Sequence, residues 1–356
     1  MSLFITPDIA SSRLRRLPQL LLFAGFAAWY YGSDALASRA ANGFSVRFRL
    51  GLGEPLLEVI FHLFLLVLGF VALETIARQA VPLGVLIALP VRLTSYREWA
   101  IGAAVAWATV IVALLPLILS ARLHAQIEWT GRSLIATILT LGMLWVASLA
   151  HEITFRGYPF RCLIGAVGAT PAVILMMLGS GFAVWRNPYA PRAGVLAAML
   201  MTLLLSLGWL RTRGIWLPWG LHFALTASLG VLFGLPIAGV SDLASMVRGS
   251  TLGPDWLTGG DFGPSAALFS LVVMIGAIVV LVRATRDFAW EYTHAPIVAG
   301  GYEVVVAPPA AHTAMEQATV KKAPALVQIL PSAPQGISAP RPDTPAPPPP
   351  MPDRLH

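Results

Sequence analysis

The sequence predicts an all-α fold: a polytopic transmembrane bundle of about eight helices followed by a disordered C-terminal tail. Three observations carry this. Hydrophobic residues make up 57% of the chain and charged residues 12%, against about 45–50% and about 25% in soluble domains. The apolar residues collect at 17–31, 55–73, 99–119, 134–150, 166–183, 193–210, 216–235 and 266–282, each near the ~20 residues a helix needs to cross hydrocarbon. Alternating apolar and polar patterns are absent, so the spans satisfy their backbone as helices and not as barrel strands. Seven spans is the main alternative count.

Taken in order, the first run follows Arg13, Arg15 and Arg16 and precedes Ala35-Leu36-Ala37. That arrangement fits a first membrane helix and also resembles a signal peptide. Residues 32–54, with Arg39, Arg47 and Arg49, are expected as a connecting loop. The second span carries Glu58 and His62 at i, i+4, a structural pair or part of a site. Residues 81–91 are too short to cross and hold Pro82 and Pro90, so they are expected along the interface. The span beginning at Leu134 continues through Phe155, Tyr158, Phe160, Leu163 and Ile164, which predicts one long helix up to the break at 165–170 and then a returning helix. Residues 236–264 read as a structured turn region, with Gly259-Gly260 and Gly263-Pro264. From about Phe288 prolines dominate, ending in the run 347–350, and the tail is expected to be extended and outside the membrane. Four regions follow: 1–54 with the first helix and loop, 55–132 with helices and the interfacial segment, 133–287 as the core, and 288–356 as the tail.

The net charge of +7 comes largely from arginines beside span ends, including Arg211, Arg213, Arg283 and Arg286. Such flanks mark cytoplasmic loops and place the termini inside, with the lipid bilayer as partner and no nucleic acid. The expected location is the plasma (inner) membrane with a cytoplasmic tail. Cys162 stands alone, which excludes an intrachain disulfide and a cysteine-based metal cluster.

The chemistry-bearing stretch is His-Glu-Ile-Thr-Phe-Arg-Gly, His151 to Gly157, where three ionisable side chains end an apolar span. Charge there is costly and therefore marks function. If the turn centres near Gly168, Glu152 lies about sixteen residues before it, roughly 24 Å along a helix, opposite Val184. Phe182 to Arg186 is thus expected at the depth of His151 and Glu152. His222 and Thr226 share a face at i, i+4. Structural roles compete: Glu152 and Arg156 can neutralise one another, and His222 can serve as interhelical glue. Trp185, Trp216 and Trp219 are expected as interface anchors. Together these groups suit peptide hydrolysis, in which a carboxylate activates water, an imidazole shares the proton and a further donor stabilises the oxyanion. His151-Glu152 opens like the zinc motif His-Glu-x-x-His, but Phe155 fills the second ligand position. Any metal, a divalent ion such as zinc, would fall to Glu152 and His222.

The stretch from about 134 to 282 resembles the CAAX protease and bacteriocin-processing family of intramembrane proteases. The family pattern of Glu-Glu-x-x-x-Arg, Phe-x-x-x-His and His-x-x-x-Asn is met by His151-Glu152 with Phe155-Arg156-Gly157, by Phe182 to Arg186, and by Trp216-Leu217-Pro218-Trp219-Gly220-Leu221-His222 to Thr226. Phe233-Gly234-Leu235-Pro236 and the segment from Trp256 to Pro264 extend the likeness. His151 replaces the family's water-activating Glu, Arg186 its second-motif His and Thr226 its Asn; Glu152, Arg156 and His222 keep their places. The resemblance implies an endopeptidase acting on a membrane-associated protein or peptide, with Glu152, His222, His151, Arg156 and Thr226 as its catalytic set. The substitutions leave room for an inactive member serving as a membrane scaffold or immunity-type binder. A small-molecule or ion carrier using Glu58, His62, Glu152 and His222 is a third class.

Overall fold

A computed structural model describes residues 16–77, 83–90, 92–187, 190–241 and 243–288. The Pro-rich tail from 289 onward and the arginines at 13 and 15 lie outside the described residues. Eleven α-helices are described: α1 Arg16–Phe48, α2 Glu54–Ala77, α3 Leu83–Leu86, α4 Ser95–Leu119, α5 Gly131–Arg156, α6 Tyr158–Val167, α7 Ala169–Trp185, α8 Arg192–Thr212, α9 Trp216–Ala227, α10 Asp255–Thr258 and α11 Leu268–Ala284. The apolar runs named above fall mainly on α1, α2, α4, α5, α7, α8, α9 and α11, although the run 166–183 begins in α6 and the run 216–235 extends beyond α9. The segments Gly51–Ala77, Ser95–Leu119, Gly131–Val167 and Arg192–Thr212 are long and apolar enough to cross a membrane, and Ala169–Trp185, Trp216–Leu232 and Leu268–Ala284 are shorter apolar helices. The chain is an integral membrane protein, helical as its composition requires.

Several local expectations change. Helix α1 does not stop at residue 31: it runs to Phe48, so most of the expected loop is helix, and Ala35-Leu36-Ala37 lies in its middle. Its later half mixes small, polar and basic residues, with Ser33, Ala37, Ala41 and Ser45 buried at a spacing of four, and this small-residue stripe lets it pack closely. The expected long helix from Leu134 breaks at Gly157 instead of continuing to 164. Gly157 has ψ −144°, outside the helical range, and a Cβ there would stand 2.1 Å from the Ile153 carbonyl oxygen. Only glycine fits, so α5 ends and α6 starts with Pro159 in its first turn, where a missing N–H costs nothing.

A small antiparallel sheet was not foreseen. Strands β1 Leu123–Ile127 and β2 Val247–Thr251 pair in the register Ala125↔Gly249 and tie the loop after α4 to the segment before α11. The Thr137 hydroxyl accepts from Met246 N at 2.8 Å and the Thr140 hydroxyl donates to the Ala244 carbonyl at 2.7 Å, so the same segment is also fixed to α5. Thr130 and Ser133 form a capping box that starts α5.

The bundle centres on α4, α5 and α9. Helices α4 and α9 cross closely enough that a Cβ at Gly102 would lie 2.2 Å from the Leu217 carbonyl oxygen, and one at Gly220 would lie 2.2 Å from the Trp99 carbonyl oxygen. In lipid, association of helices rests on such close van der Waals packing, since burying apolar surface gains little there. Trp216 and Trp219, expected as interface anchors, are interior links: their indole N–H groups donate to the carbonyls of Pro90 (2.8 Å) and Trp145 (3.0 Å). Trp185 is exposed.

Candidate active site

The break at Gly157 leaves His151, Glu152 and Arg156 on the last turns of α5, facing α9. Helix α9 continues beyond Ala227 as a π-helical turn, Ser228–Leu232, a local irregularity often found beside functional sites. The Gly102 and Gly220 contacts hold α9 against α4 two residues before His222, and the Trp219 bond to Trp145 holds it against α5. His222 is thereby pressed onto α5.

Glu152 is completely buried, and its Oε1 gathers three partners: His222 Nδ1 at 2.7 Å, His151 Nδ1 at 3.3 Å and Arg156 Nη1 at 3.5 Å. Its Oε2 is buried with no hydrogen-bond partner. The carboxylate is an acceptor only, so the short contact places the proton on Nδ1 of His222 and leaves Nε2 as the lone-pair nitrogen. His151 is held less firmly. Its Nδ1 also stands 3.4 Å from Arg156 Nη1, and one ring nitrogen cannot both donate to Glu152 and accept from a guanidinium. The two imidazole rings meet edge to face at 4.9 Å.

A cavity of about 910 Å³ adjoins this cluster. Its lining includes His151, Arg156, His222 and Thr226 but not Glu152, and it is otherwise largely apolar, with contributions from α1, α7, α8 and α11. The groups that open on the cavity are therefore the imidazoles, while Arg156 contributes to the lining from a buried position and the carboxylate stands behind them. Side-chain exposure separates the roles: 34% for His151 and 19% for His222, against 0% for Glu152 and 1% for Arg156. Thr226 reaches the cavity wall, but its hydroxyl donates within its own helix, to the carbonyl of His222 or Phe223, each at 3.0 Å. That leaves it lone pairs for the cavity and no proton to donate to an oxyanion.

The expected third element of the cluster is only partly present. Ala183 and Val184 line the cavity, at the depth deduced from the turn, whereas Phe182, Trp185 and Arg186 are exposed. Arg186 therefore does not stand in for an imidazole. His62 Nδ1 forms its close ion pair with Asp34, at 3.4 Å. Tyr30 of α1 was not anticipated. Its ring lies 4.8 Å from that of His62, 5.1 Å from Phe155 and 6.2 Å from His151, and it lines the cavity. An aromatic residue inside an apolar run carries no sequence signal that separates a site wall from ordinary packing.

The atoms that His151, Glu152 and His222 offer as ligands all lie within 4.8 Å of one another, a donor set of two imidazoles and a carboxylate of the kind that holds catalytic zinc. Arg156 stands against this use, since its guanidinium already occupies the flank of Glu152 Oε1 and would face a dication at close range. The fit is chemical in donor type and poor in charge.

Residues 133–228 match the family described as type II CAAX prenyl endopeptidase Rce1-like. This segment is similar to an Rce1-like domain. It begins at the capping box of α5 and ends just past α9, so the matched segment holds His151, Glu152, Arg156, His222 and Thr226, while Tyr30 and His62 come from helices outside it. Searches of curated proteins and of solved structures found no match.

Proposed function

We propose that the chain is an intramembrane endopeptidase of the CAAX-protease type, hydrolysing a peptide bond of a membrane-associated protein presented in the cavity beside His151 and His222. The observation that carries this is the 2.7 Å contact between His222 Nδ1 and Glu152 Oε1, at the wall of an apolar cavity and within the segment similar to an Rce1-like domain. The buried carboxylate fixes the tautomer and stabilises the imidazolium that forms, the logic of an acid–imidazole pair. Nε2 of His222 takes a proton from water, the oxygen adds to the scissile carbonyl, and the same proton passes to the departing amine as the C–N bond breaks. Arg156 lines the cavity with a permanent charge that favours the oxyanion without any proton transfer. His151 is the second, more open imidazole and orders the water. This assigns Glu152 a positioning role in place of direct water activation, because it has no face on the cavity.

The protein would reside in the plasma (inner) membrane with its basic end and tail in the cytoplasm. Membrane-anchored peptides given to the purified protein test the reading: cleavage that Glu152→Gln and His222→Ala both abolish supports it, and products unchanged by both substitutions remove it. One observation favours the second reading, an inactive partner-binding scaffold. The proton of Thr226 is spent inside α9 and Arg186 is exposed and outside the cavity lining, so neither replaced residue supplies the donor of the family pattern. In that case Glu152→Gln would leave cellular function intact, while bulky substitutions at Val184 would not.

A further inference from the structure

At the end of the bundle formed by the C-terminus of α8, the start of α4 and the start of α6, two guanidinium groups share one indole. Arg161 Cζ lies 5.7 Å from the ring centroid of Trp209 and Arg213 Cζ lies 5.9 Å from it. No carboxylate among the described residues pairs with either arginine. Trp209 is 2% exposed, and its indole N–H is buried with no acceptor. The place thus combines two cations that have no ion-pair partner among the described residues with a buried indole N–H that has no acceptor, and the nearby Glu98 carboxylate is paired with Arg92.

The local backbone adds a second, independent sign. Arg213 caps α8 in the left-handed conformation, φ 54°, which glycine adopts at no cost and an L-residue does not. Gly214 follows immediately, so the neighbouring position holds the residue that would have suited the turn. An arginine kept at a strained position is better explained by its guanidinium than by its backbone. The carbonyls of α8 that would repel an anion are already engaged: Trp209 O accepts from Arg213 N at 2.7 Å, and Thr212 O accepts from Arg92 Nη1 at 2.7 Å. Arg92 itself is balanced by Glu98 at 3.5 Å.

We infer that Arg161, Arg213 and Trp209 form a binding site for the phosphate of an anionic phospholipid headgroup. A half-buried Arg161 and an exposed Arg213 beside an aromatic ring suit a phosphate at the bilayer–water boundary. The end they occupy also carries Arg97, which stacks on Phe288, and Arg211, which bonds to Thr285 and the Val282 carbonyl. It is the basic end, which the distribution of arginines assigns to the leaflet where anionic lipids are recognised. The site is separate from the cluster around Glu152, and the inference does not depend on peptide hydrolysis.

The test uses the full chain in nanodiscs of phosphatidylcholine with and without phosphatidylglycerol, reading the number of phosphatidylglycerol molecules retained by native mass spectrometry and the thermal unfolding midpoint. Phosphatidylglycerol is expected to bind selectively and raise the midpoint. Arg161→Gln and Arg213→Gly are each expected to weaken its retention about fivefold, and the double variant about thirtyfold. Arg213→Gly relieves the left-handed strain, so it should fold at least as well as the parent in phosphatidylcholine. Arg97→Gln, at the same basic end but paired with a different ring, should keep the selectivity. Equal retention by the double variant, an equal loss in Arg97→Gln, or equal protection by inorganic phosphate in phosphatidylcholine discs would each overturn the assignment.

Discussion

Nδ1 of His222 lies 2.7 Å from Oε1 of Glu152 although 70 residues separate them in sequence. The contact joins α5 to α9 and sets the direction in which the free nitrogen of the imidazole faces. Everything expected of the site depends on this pair and on the guanidinium behind it.

Replacing Glu152 with Gln keeps the shape and removes the charge. By analogy with an acid–imidazole pair whose carboxylate is amidated, hydrolysis should fall by about 10⁴-fold through loss of the correct tautomer. The same change leaves Arg156 buried without its partner, which should cost about 3–5 kcal/mol of stability. Glu152→Gln with Arg156→Met should recover most of that stability and none of the activity. Thermal unfolding in detergent beside a peptide-cleavage assay reads both, and recovered activity in the double variant would contradict the positioning role.

The two imidazoles should not be equivalent. His222 is 2.7 Å from the carboxylate while His151 is 3.3 Å away and contested by Arg156. Removing a general base typically costs about 10²–10⁴ in rate, so His222→Ala should reach the upper part of that range and His151→Ala the lower part. Turnover numbers at saturating peptide decide it; the reverse order would make His151 the base.

Gly102 and Gly220 should tolerate no side chain. Each faces a backbone carbonyl oxygen that a Cβ would approach to 2.2 Å, and oversized groups at packed positions cost about 1–3 kcal/mol or more. Gly220→Val should lower the unfolding midpoint and also displace His222, so kcat should drop with it. A stable variant with full activity would show that the α4–α9 crossing does not position the site.

Filling the cavity should separate substrates by bulk. Val184→Trp places a large ring on the lining of the cavity. KM should rise for peptides carrying long apolar groups, with kcat for short peptides unchanged. Equal effects on both would remove the cavity as the place where substrate binds.

What the sequence determined by itself was local. The runs of apolar residues specify helices, because hydrocarbon leaves the backbone no other way to satisfy its own hydrogen bonds. The order of Glu152, Arg156 and His222 along the chain was enough to point to the family. Tertiary structure decided the rest. Whether Glu152 faces the cavity or stands behind the imidazoles depends on how α9 rotates against α5, which Gly102, Gly220 and Trp219 set across gaps of many residues. Tyr30 joins the wall and Arg186 leaves it for the same reason: hydropathy records that a residue lies in a span, not which neighbour it meets. The pairing of β1 with β2 was illegible because its partners are 124 residues apart at Ala125 and Gly249, and neither strand alternates strongly enough to announce the other. The break at Gly157 was the one feature legible in principle, since a glycine late in a helical run is a possible stop, but the carbonyl of Ile153 that excludes any Cβ is visible only once the chain is folded.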